Sequence, residues 1–273
     1  MKIAVIGHVE HITLGRVPAV PRAGDIAHLE EQRVFPGGGG GIAFYQLTRS
    51  PAQVLLFTAL GNDEAAQQVE SRLAETGAAL HVARRETPHT RDLVMITPDG
   101  ERTIVVLGEP LHPRRADPLP WDDLAGCDAA YFTAQDPLAL QAARLARMLV
   151  VTARRQDALR ASAVRADVVV GSALDPRESC TLADFPLAPR ALVLTEGSRG
   201  GRIETASGSE RFAPSRVVGA GGGAYGAGDS FAGALVYFLA AGMPVAEACA
   251  RAGEYGAAVL GGLDPLSAQK KLP

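Results

Sequence analysis

The chain has 273 residues, of which 47% are hydrophobic and 21% charged, and its formal net charge at pH 7 is −3. The length suits one large α/β domain, the weak negative charge argues against a nucleic-acid partner, and no apolar stretch reaches the roughly 20 residues that would place the chain in a membrane. The three cysteines, Cys127, Cys180 and Cys249, fit neither a disulfide framework nor a zinc pattern, so we expect a cytoplasmic protein.

Short apolar runs alternate with amphipathic stretches along most of the chain. The predicted strands cover residues 2–7, 31–35, 54–59, 93–96, 103–107, 129–132, 149–152, 168–171 and 191–195. The predicted helices cover residues 42–48, 64–75 (with Asp63 as N-cap), 138–148 and the apolar run at 231–241. Strands that alternate with helices indicate a parallel sheet with helices on both faces.

Two segments do not fit that sheet. Residues 8–34 are polar and irregular, with Pro18 and Pro21 as breakers, and residues 93–107 form a hairpin that turns at Pro98-Asp99-Gly100. We find no internal repeat and no linker long enough to divide the chain. The sequence therefore predicts one domain with a small β appendage.

A glycine-rich segment before the last apolar run carries the strongest chemical signal. Gly226, Ala227 and Gly228 are followed by Asp229 where a helix is predicted to begin. The unpaired amides of a helix start bind anions, and small residues let a phosphate approach them. An acid at this place suits a group that removes a proton while the amides hold the charge on a transferred phosphoryl group.

This segment resembles the signature of the ribokinase-like carbohydrate kinases, the phosphofructokinase-B type, which reads Asp-Thr-x-Gly-Ala-Gly-Asp. The resemblance implies an α/β three-layer sandwich with a mainly parallel central sheet and a small β-sheet lid. It further implies one kinase domain over residues 1–273, with lid segments at about 8–34 and 90–108. In the family the last Asp is the catalytic base and the Gly-Ala-Gly amides form the anion hole, roles that carry over to Asp229 and to residues 226–228.

The resemblance extends to the substrate motifs. Five consecutive glycines resemble the family's Gly-Gly-x-x-x-Asn motif, so Gly38, Gly39 and Gly40 are expected to approach the sugar. Glu10 follows the first strand, where relatives carry an acid or an Asn that grips substrate hydroxyls. The implied partner is a small sugar-like molecule, and we also expect a homodimer through the lid.

The nucleotide side of the resemblance rests on two turns. Thr195, Gly197 and Gly200 resemble a Thr-x-Gly-x-x-Gly turn beside ATP. Asp175 stands where relatives have the acid of Asn-x-x-Glu, which positions Mg²⁺ through water, and Glu178 is a substitute for it. The implied cofactors are therefore ATP and Mg²⁺.

Three positions depart from the family pattern. Gly223 and Ala224 replace the leading Asp and Thr of the signature, and Ile42 replaces the Asn of the glycine motif. Without the Asp, the loop lacks a carboxylate that relatives use to hold a monovalent cation, which puts potassium activation in doubt. Ile42 leaves one polar substrate contact missing or supplied elsewhere.

Several alternatives stay open. The five glycines also fit a flexible loop or, with poor spacing, a dinucleotide-binding turn. The cluster of His8, Glu10 and His11 also fits a metal site or a solvated loop. The sequence favours an ATP-dependent phosphotransferase that acts on a hydroxyl of a sugar or sugar-like molecule. The alternatives are a nucleoside kinase of the same fold and a weakened relative that only binds ATP or a metabolite.

Overall fold

The computed structural model describes residues 1–217 and 222–273. Their strands are β1 (Lys2–Ile6), β2 (Glu10–Arg16), β3 (Glu30–Gly37), β4 (Gln53–Leu60), β5 (Ala79–Arg84), β6 (Arg91–Ile96), β7 (Arg102–Leu107), β8 (Ala129–Phe132), β9 (Met148–Thr152), β10 (Val168–Ser172), β11 (Ala191–Thr195), β12 (Gly201–Thr205) and β13 (Gly208–Phe212). Their helices are α1 (Gly38–Thr48), α2 (Glu64–Ala74), α3 (Pro137–Ala143), α4 (Gln156–Ser162), α5 (Ala227–Ala240), α6 (Val245–Val259) and α7 (Pro265–Ala268). None of these helices is both long and apolar enough to cross a membrane.

A nine-stranded sheet forms the centre of the molecule, in the order β13-β12-β11-β10-β9-β8-β1-β4-β5. The strands from β5 to β11 pair in parallel, and β12 and β13 add an antiparallel edge. The central strands are apolar and buried on both faces, as expected of parallel strands that are covered by helices. The carboxyl ends of the parallel strands therefore lie along one edge.

Helices cover both faces of this sheet. One face packs against α1, α2, α5 and α6 around a core that includes Phe44, Leu235 and Phe238. The other face packs against α3 and α4 around Trp121 and Phe132. The result is the three-layer α/β sandwich that the sequence predicted.

A second, four-stranded sheet in the order β3-β2-β6-β7 is the small lid sheet. Its apolar face buries Ile12 and Ile96 against Ile42 of α1 and Tyr225. The turn between β6 and β7 reaches the segment before α5, where the amide of Ala224 donates to the carbonyl of Gly100 at 3.3 Å. The lid sheet thus lies directly over the glycine-rich segment.

Three local predictions are wrong. The predicted irregular segment of residues 8–34 contains all of β2, whose apolar side chains pack under the lid sheet. The helix predicted at 42–48 begins four residues earlier, because the glycines are its first turn. The helix predicted at 138–148 ends at Ala143, since the Arg144 guanidinium binds the carbonyls of Ala146 (2.8 Å) and Arg147 (3.1 Å) and turns the chain into β9.

Candidate active site

The candidate site lies where the parallel strands end and two helices begin. Helix α1 starts at Gly38, directly after β3, and helix α5 starts at Ala227. Gly226 precedes α5 in the left-handed conformation, with φ of 79°, which favours glycine. Ligands in open α/β sheets bind outside the carboxyl ends of the strands, and this edge also presents two helix N-termini.

The start of α1 lies next to the predicted catalytic base, Asp229, which is in the first turn of α5. A Cβ atom placed on Gly39 would lie 3.2 Å from Oδ1 of Asp229, and one placed on Gly38 would lie 2.9 Å from Oε2 of Glu10. The structure therefore brings Asp229, Glu10 and these two glycines together. The backbone of Gly40 also packs tightly, because a Cβ atom there would lie 2.6 Å from the carbonyl oxygen of His8.

Asp229 has a strongly altered carboxyl group. Burial raises its pKa from 3.8 to about 6, the negative charge of Glu178 adds to the rise, and Arg102 and Arg154 oppose it. A carboxyl group with this pKa is mostly ionised at pH 7 and still basic enough to accept a proton, as a general base requires. Arg102 is an exposed residue of the lid hairpin, and its positive charge acts on Asp229.

The first amides of α1 are held by two side chains of the site. The amide of Gly38 donates to the Tyr225 hydroxyl at 3.1 Å, and that of Gly39 donates to Nε2 of His8 at 3.2 Å. Burial, with the charge of Arg155, lowers the pKa of His8 to about 3, so the ring is neutral and Nε2 is free to accept. The glycines are therefore an ordered helix start, and the flexible-loop alternative is wrong.

Sequence reasoning missed three residues of the pocket. Asp92 lies on β6 opposite Ile12 of β2, which places it on the same face of the lid sheet as Glu10. His112 follows the lid hairpin and packs edge-on against His8, with ring centroids 4.9 Å apart. Arg155 follows β9 and donates from Nε to the carbonyl of Thr133 at 2.8 Å.

A signal for one of these residues was present in the sequence. Asp92 shares the inward face of its strand with Val94 and Ile96, so an acid interrupts an apolar alternation. His112 lies in an irregular segment and Arg155 ends a short 3-10 turn after β9, and neither segment has a periodicity that marks a side chain as inward. Both could be placed only once the strand order was known.

The nucleotide-side residues lie farther along the same edge of the sheet. Thr195 ends β11 in register with Ser172, the last residue of β10. Gly197 and Gly200 then adopt positive φ angles of 61° and 81°, and a side chain on Gly200 would collide with the carbonyl of Phe212. The predicted turn is therefore built as a tight connection into β12.

The two predicted magnesium carboxylates share one arginine. Arg154 donates to Oδ2 of Asp175 at 2.5 Å and to Oε1 of Glu178 at 2.9 Å. Their other oxygens accept from the amides of Arg177 and Ser172, each at 2.9 Å. All four oxygens thus accept from protein donors, and contact with Mg²⁺ through water would leave these hydrogen bonds in place.

A metal site in the first-strand cluster finds no support. His11 faces α2, where its Nε2 lies 2.9 Å from Oε1 of Gln68, whereas His8 and Glu10 face the pocket. Across residues 1–217 and 222–273, no group of three or more His, Cys, Asp or Glu side chains is arranged to hold a metal ion.

The departures from the family motif are filled by packing. Ile42 is fully buried between α1 and the lid sheet and offers no polar contact. A Cβ atom on Gly223 would lie 2.6 Å from Cδ1 of Ile96, so the lid occupies the space of a side chain there.

Comparison with known proteins identifies the same architecture. A family model described as "pfkB family carbohydrate kinase" matches residues 1–164 and 157–268.

Among solved structures, a ribokinase from Thermotoga maritima matches with a TM-score of 0.78 at 17% identity, covering 98% of this chain and 96% of that chain. A ribokinase from Cryptococcus neoformans in complex with ADP matches with a TM-score of 0.73 at 16% identity, covering 98% and 96%. A nucleoside kinase from Methanocaldococcus jannaschii matches with a TM-score of 0.71 at 13% identity, covering 98% and 94%. No curated protein matches the sequence.

Proposed function

The chain belongs to the pfkB family of carbohydrate kinases, and on that premise we propose that it transfers the γ-phosphoryl group of ATP to a hydroxyl of a sugar or sugar-like small molecule. The observation that carries this proposal is the position of Asp229. It stands at the start of α5 and faces Gly39 at the start of α1, with its pKa raised to about 6. A proton acceptor is thereby held beside a helix N-terminus that suits phosphoryl oxygens.

In the proposed reaction, Asp229 accepts the proton of the attacking hydroxyl. The hydroxyl oxygen bonds to the γ-phosphorus as the bond to the bridging oxygen of ADP breaks. The amides of Gly226, Ala227 and Gly228 stabilise the negative charge that develops on the transferred group. The lid sheet over this segment would exclude water that otherwise hydrolyses ATP.

We assign the nucleotide to the other end of the same edge. Thr195, Gly197 and Gly200 would line its phosphates. Mg²⁺ would accompany the nucleotide and neutralise phosphate charge, with Asp175 and Glu178 reaching it through water. Arg154 holds both carboxylates in place for that contact.

The pocket favours a hydroxylated substrate over a nucleoside. Its inward side chains, Glu10, Asp92, His8 and His112, are hydrogen-bonding groups, whereas a nucleobase requires flat apolar surfaces to stack on. Gly38, Gly39 and Gly40 would let the substrate approach the start of α1. A pure binding protein gains nothing from a basic carboxylate in its anion site, which speaks for catalysis.

We also propose how the chain is organised, how it assembles and where it acts. The chain would act as one kinase domain of residues 1–273, with residues 8–34 and 90–108 supplying the lid strands. Strand β7 is an edge strand whose Ile104, Val105, Val106 and Leu107 are exposed, which supports a homodimer through the lid. The three free, buried cysteines are consistent with a reducing compartment such as the cytoplasm.

A substrate screen tests the function. The purified chain, with ATP and Mg²⁺, would be incubated with a panel of sugars, sugar derivatives and nucleosides. We expect acceptor-dependent ADP formation and an acceptor that gains one phosphoryl group, with sugars or their derivatives preferred. Phosphorylation of nucleosides alone would establish the alternative kinase. ATP binding without transfer to any acceptor would show a binding protein.

A further inference from the structure

The substrate pocket contains two buried carboxyl groups side by side. Glu10 on β2 and Asp92 on β6 lie on the same face of adjacent strands, and burial together with the negative charge of Asp92 raises the pKa of Glu10. Glu10 is 7% exposed and Asp92 is 3% exposed. Two buried carboxyl groups on one face of adjacent strands repel each other when both are ionised, so the pair is unfavourable without a compensating positive charge.

Neither carboxyl group has a cationic partner among the described residues. The ion pair of Glu10 is with His8, at 3.8 Å, and His8 is neutral because burial lowers its pKa. The charge of Arg155 lowers the pKa of Glu10 less than burial and the neighbouring carboxylates raise it, and the Arg155 guanidinium donates to the Thr133 carbonyl. A buried acidic pair without a counter-ion is costly, which points to a cation supplied from outside the chain.

The surrounding polar atoms point the same way. Oδ1 of Asp92 is buried without a hydrogen-bond partner, as are both ring nitrogens of His112 and Nδ1 of His8. Such atoms are ordinarily satisfied by a ligand or by water. The unmet acceptor of Asp92, beside the buried carboxyl group of Glu10, calls for a hydrogen-bond donor from a ligand.

The pair lies close to the reacting centre. Glu10 approaches Gly38 and Asp229 approaches the adjacent Gly39, so the two carboxylates flank one glycine pair. A single small molecule can therefore reach Asp229 with one hydroxyl and the Glu10–Asp92 pair with another group.

We propose that the Glu10–Asp92 pair binds a protonated amine of the substrate, so that the acceptor is an amino sugar or an amino polyol. This inference rests on the proposed kinase function and names its substrate class. An ammonium group donates three hydrogen bonds and brings the missing charge, whereas a hydroxyl donates one and leaves the pair uncompensated. Because Asp92 belongs to the lid sheet, amine binding would also hold the lid over the reacting hydroxyl.

The test compares matched acceptors on the intact enzyme. Each acceptor is used as the hydroxy sugar, as its amino-deoxy counterpart and as the N-acetyl derivative, which keeps the nitrogen but loses the charge. We expect the amino form to exceed the hydroxy form in kcat/KM by about 10- to 100-fold, the range of a charge-assisted contact. In Asp92→Asn and Glu10→Gln this ratio should fall at least about tenfold. Glu101→Gln, which alters an exposed acid of the same hairpin, should leave the ratio unchanged.

The ratio distinguishes recognition from a merely structural role, because a damaged lid lowers both forms alike. Efficient phosphorylation of hydroxy sugars with no preference for the amino forms would overturn the inference and leave the proposed function standing. A preference that persists in Asp92→Asn would overturn it as well. If no acceptor is phosphorylated, the proposed function fails, and thermal shifts decide the inference. Stabilisation by amino forms in the presence of EDTA, lost in Asp92→Asn, upholds amine binding, and its absence overturns it.

Discussion

At the scale of single residues, the site is shaped by side chains that the chain lacks as much as by those it has. A Cβ atom on Gly38 or Gly39 would meet Glu10 or Asp229, whereas Gly228 leaves its backbone open to solvent. Ile42 and Gly223, which replace polar residues of the family motif, are explained by packing under the lid. The chain therefore departs from the family motif at positions that pack against the lid sheet, while it keeps the catalytic half of the motif, residues 226–229.

Gly228→Val tests the anion hole. A Cβ atom on Gly228 would meet no atom within 4 Å, so the substitution should leave the fold intact. Its two methyl groups would instead block the approach of phosphate to the backbone amides. We expect ATP affinity and turnover to fall together, measured by calorimetry and an ADP assay. Gly126→Val, also at an uncrowded exposed glycine but far from the site, is the matched control. Unchanged affinity and rate in Gly228→Val would place the anion hole elsewhere.

Asp229 also predicts how stability depends on pH. Its pKa is raised in the folded protein from 3.8 to about 6, so ionisation there opposes folding. The wild type should therefore lose stability as pH rises from about 4 to about 6, by up to ~3 kcal/mol from this group. Asp229→Asn should lack this loss and be the more stable protein at pH 7. Equal denaturant midpoints for both proteins at pH 7 would contradict the raised pKa.

At the scale of elements, the lid and the segment before α5 are packed as one unit. The hairpin turn at Gly100 accepts from Ala224, and Ile96 of β6 lies against Gly223. The position of the lid is thus tied to the loop that precedes the catalytic base. A movement of the lid sheet can therefore be passed directly to the loop that forms the anion hole.

The contact between Ile96 and Gly223 can be tested by repacking. Gly223→Asp should lower the free energy of unfolding by about 1–3 kcal/mol, because the new side chain has no space beside Ile96. Adding Ile96→Ala should relieve part of that cost, so that the two changes are not additive in denaturant unfolding. Strict additivity would show that the two residues do not touch.

The same position bears on monovalent cations. We expect the kinase activity of the wild type to change little when Na⁺ replaces K⁺ at equal ionic strength, since position 223 carries no carboxylate.

The central elements could be predicted from sequence, and the peripheral ones could not. Strands β8 and β11 occupy the predicted residues, because buried parallel strands are short unbroken apolar runs. Strands β12 and β13 were missed, since β12 (Gly201–Thr205) has only one large apolar residue, Ile203, and the edge strand β13 is polar and mostly exposed. Asp92 was missed for a related reason: the pairing of β2 with β6, which turns it toward Glu10, is a long-range contact that no local pattern encodes.

At the scale of the whole molecule, strand β7 stands out because in a monomer its apolar side chains would remain exposed to solvent. Its outer edge has no strand partner in the described ranges, and four large apolar residues lie along it. Pairing of two such edges would cover the apolar side chains and satisfy the open backbone. The lid would then be shared between two active sites.

Light scattering on two matched variants tests this assembly. Leu107 on β7 is 51% exposed and Leu187, outside the lid, is 47% exposed. We expect the wild type and Leu187→Glu to be dimers and Leu107→Glu to be a monomer, because a charge in a paired apolar edge opposes association. A wild-type monomer at micromolar concentration, or a dimer that persists in Leu107→Glu, would contradict a dimer through β7.

The proposed kinase reaction depends most on Asp229 as the base, and the turnover of Asp229→Asn tests that role most directly. The amide keeps the shape of the side chain but cannot accept the proton. With the best acceptor from the screen, we predict a loss of roughly 10²–10⁴ in kcat while the Kd for ATP stays within about twofold. Asp157→Asn, at a fully exposed carboxylate, should retain wild-type kcat. Turnover of Asp229→Asn near that of the wild type would contradict the assignment of the base.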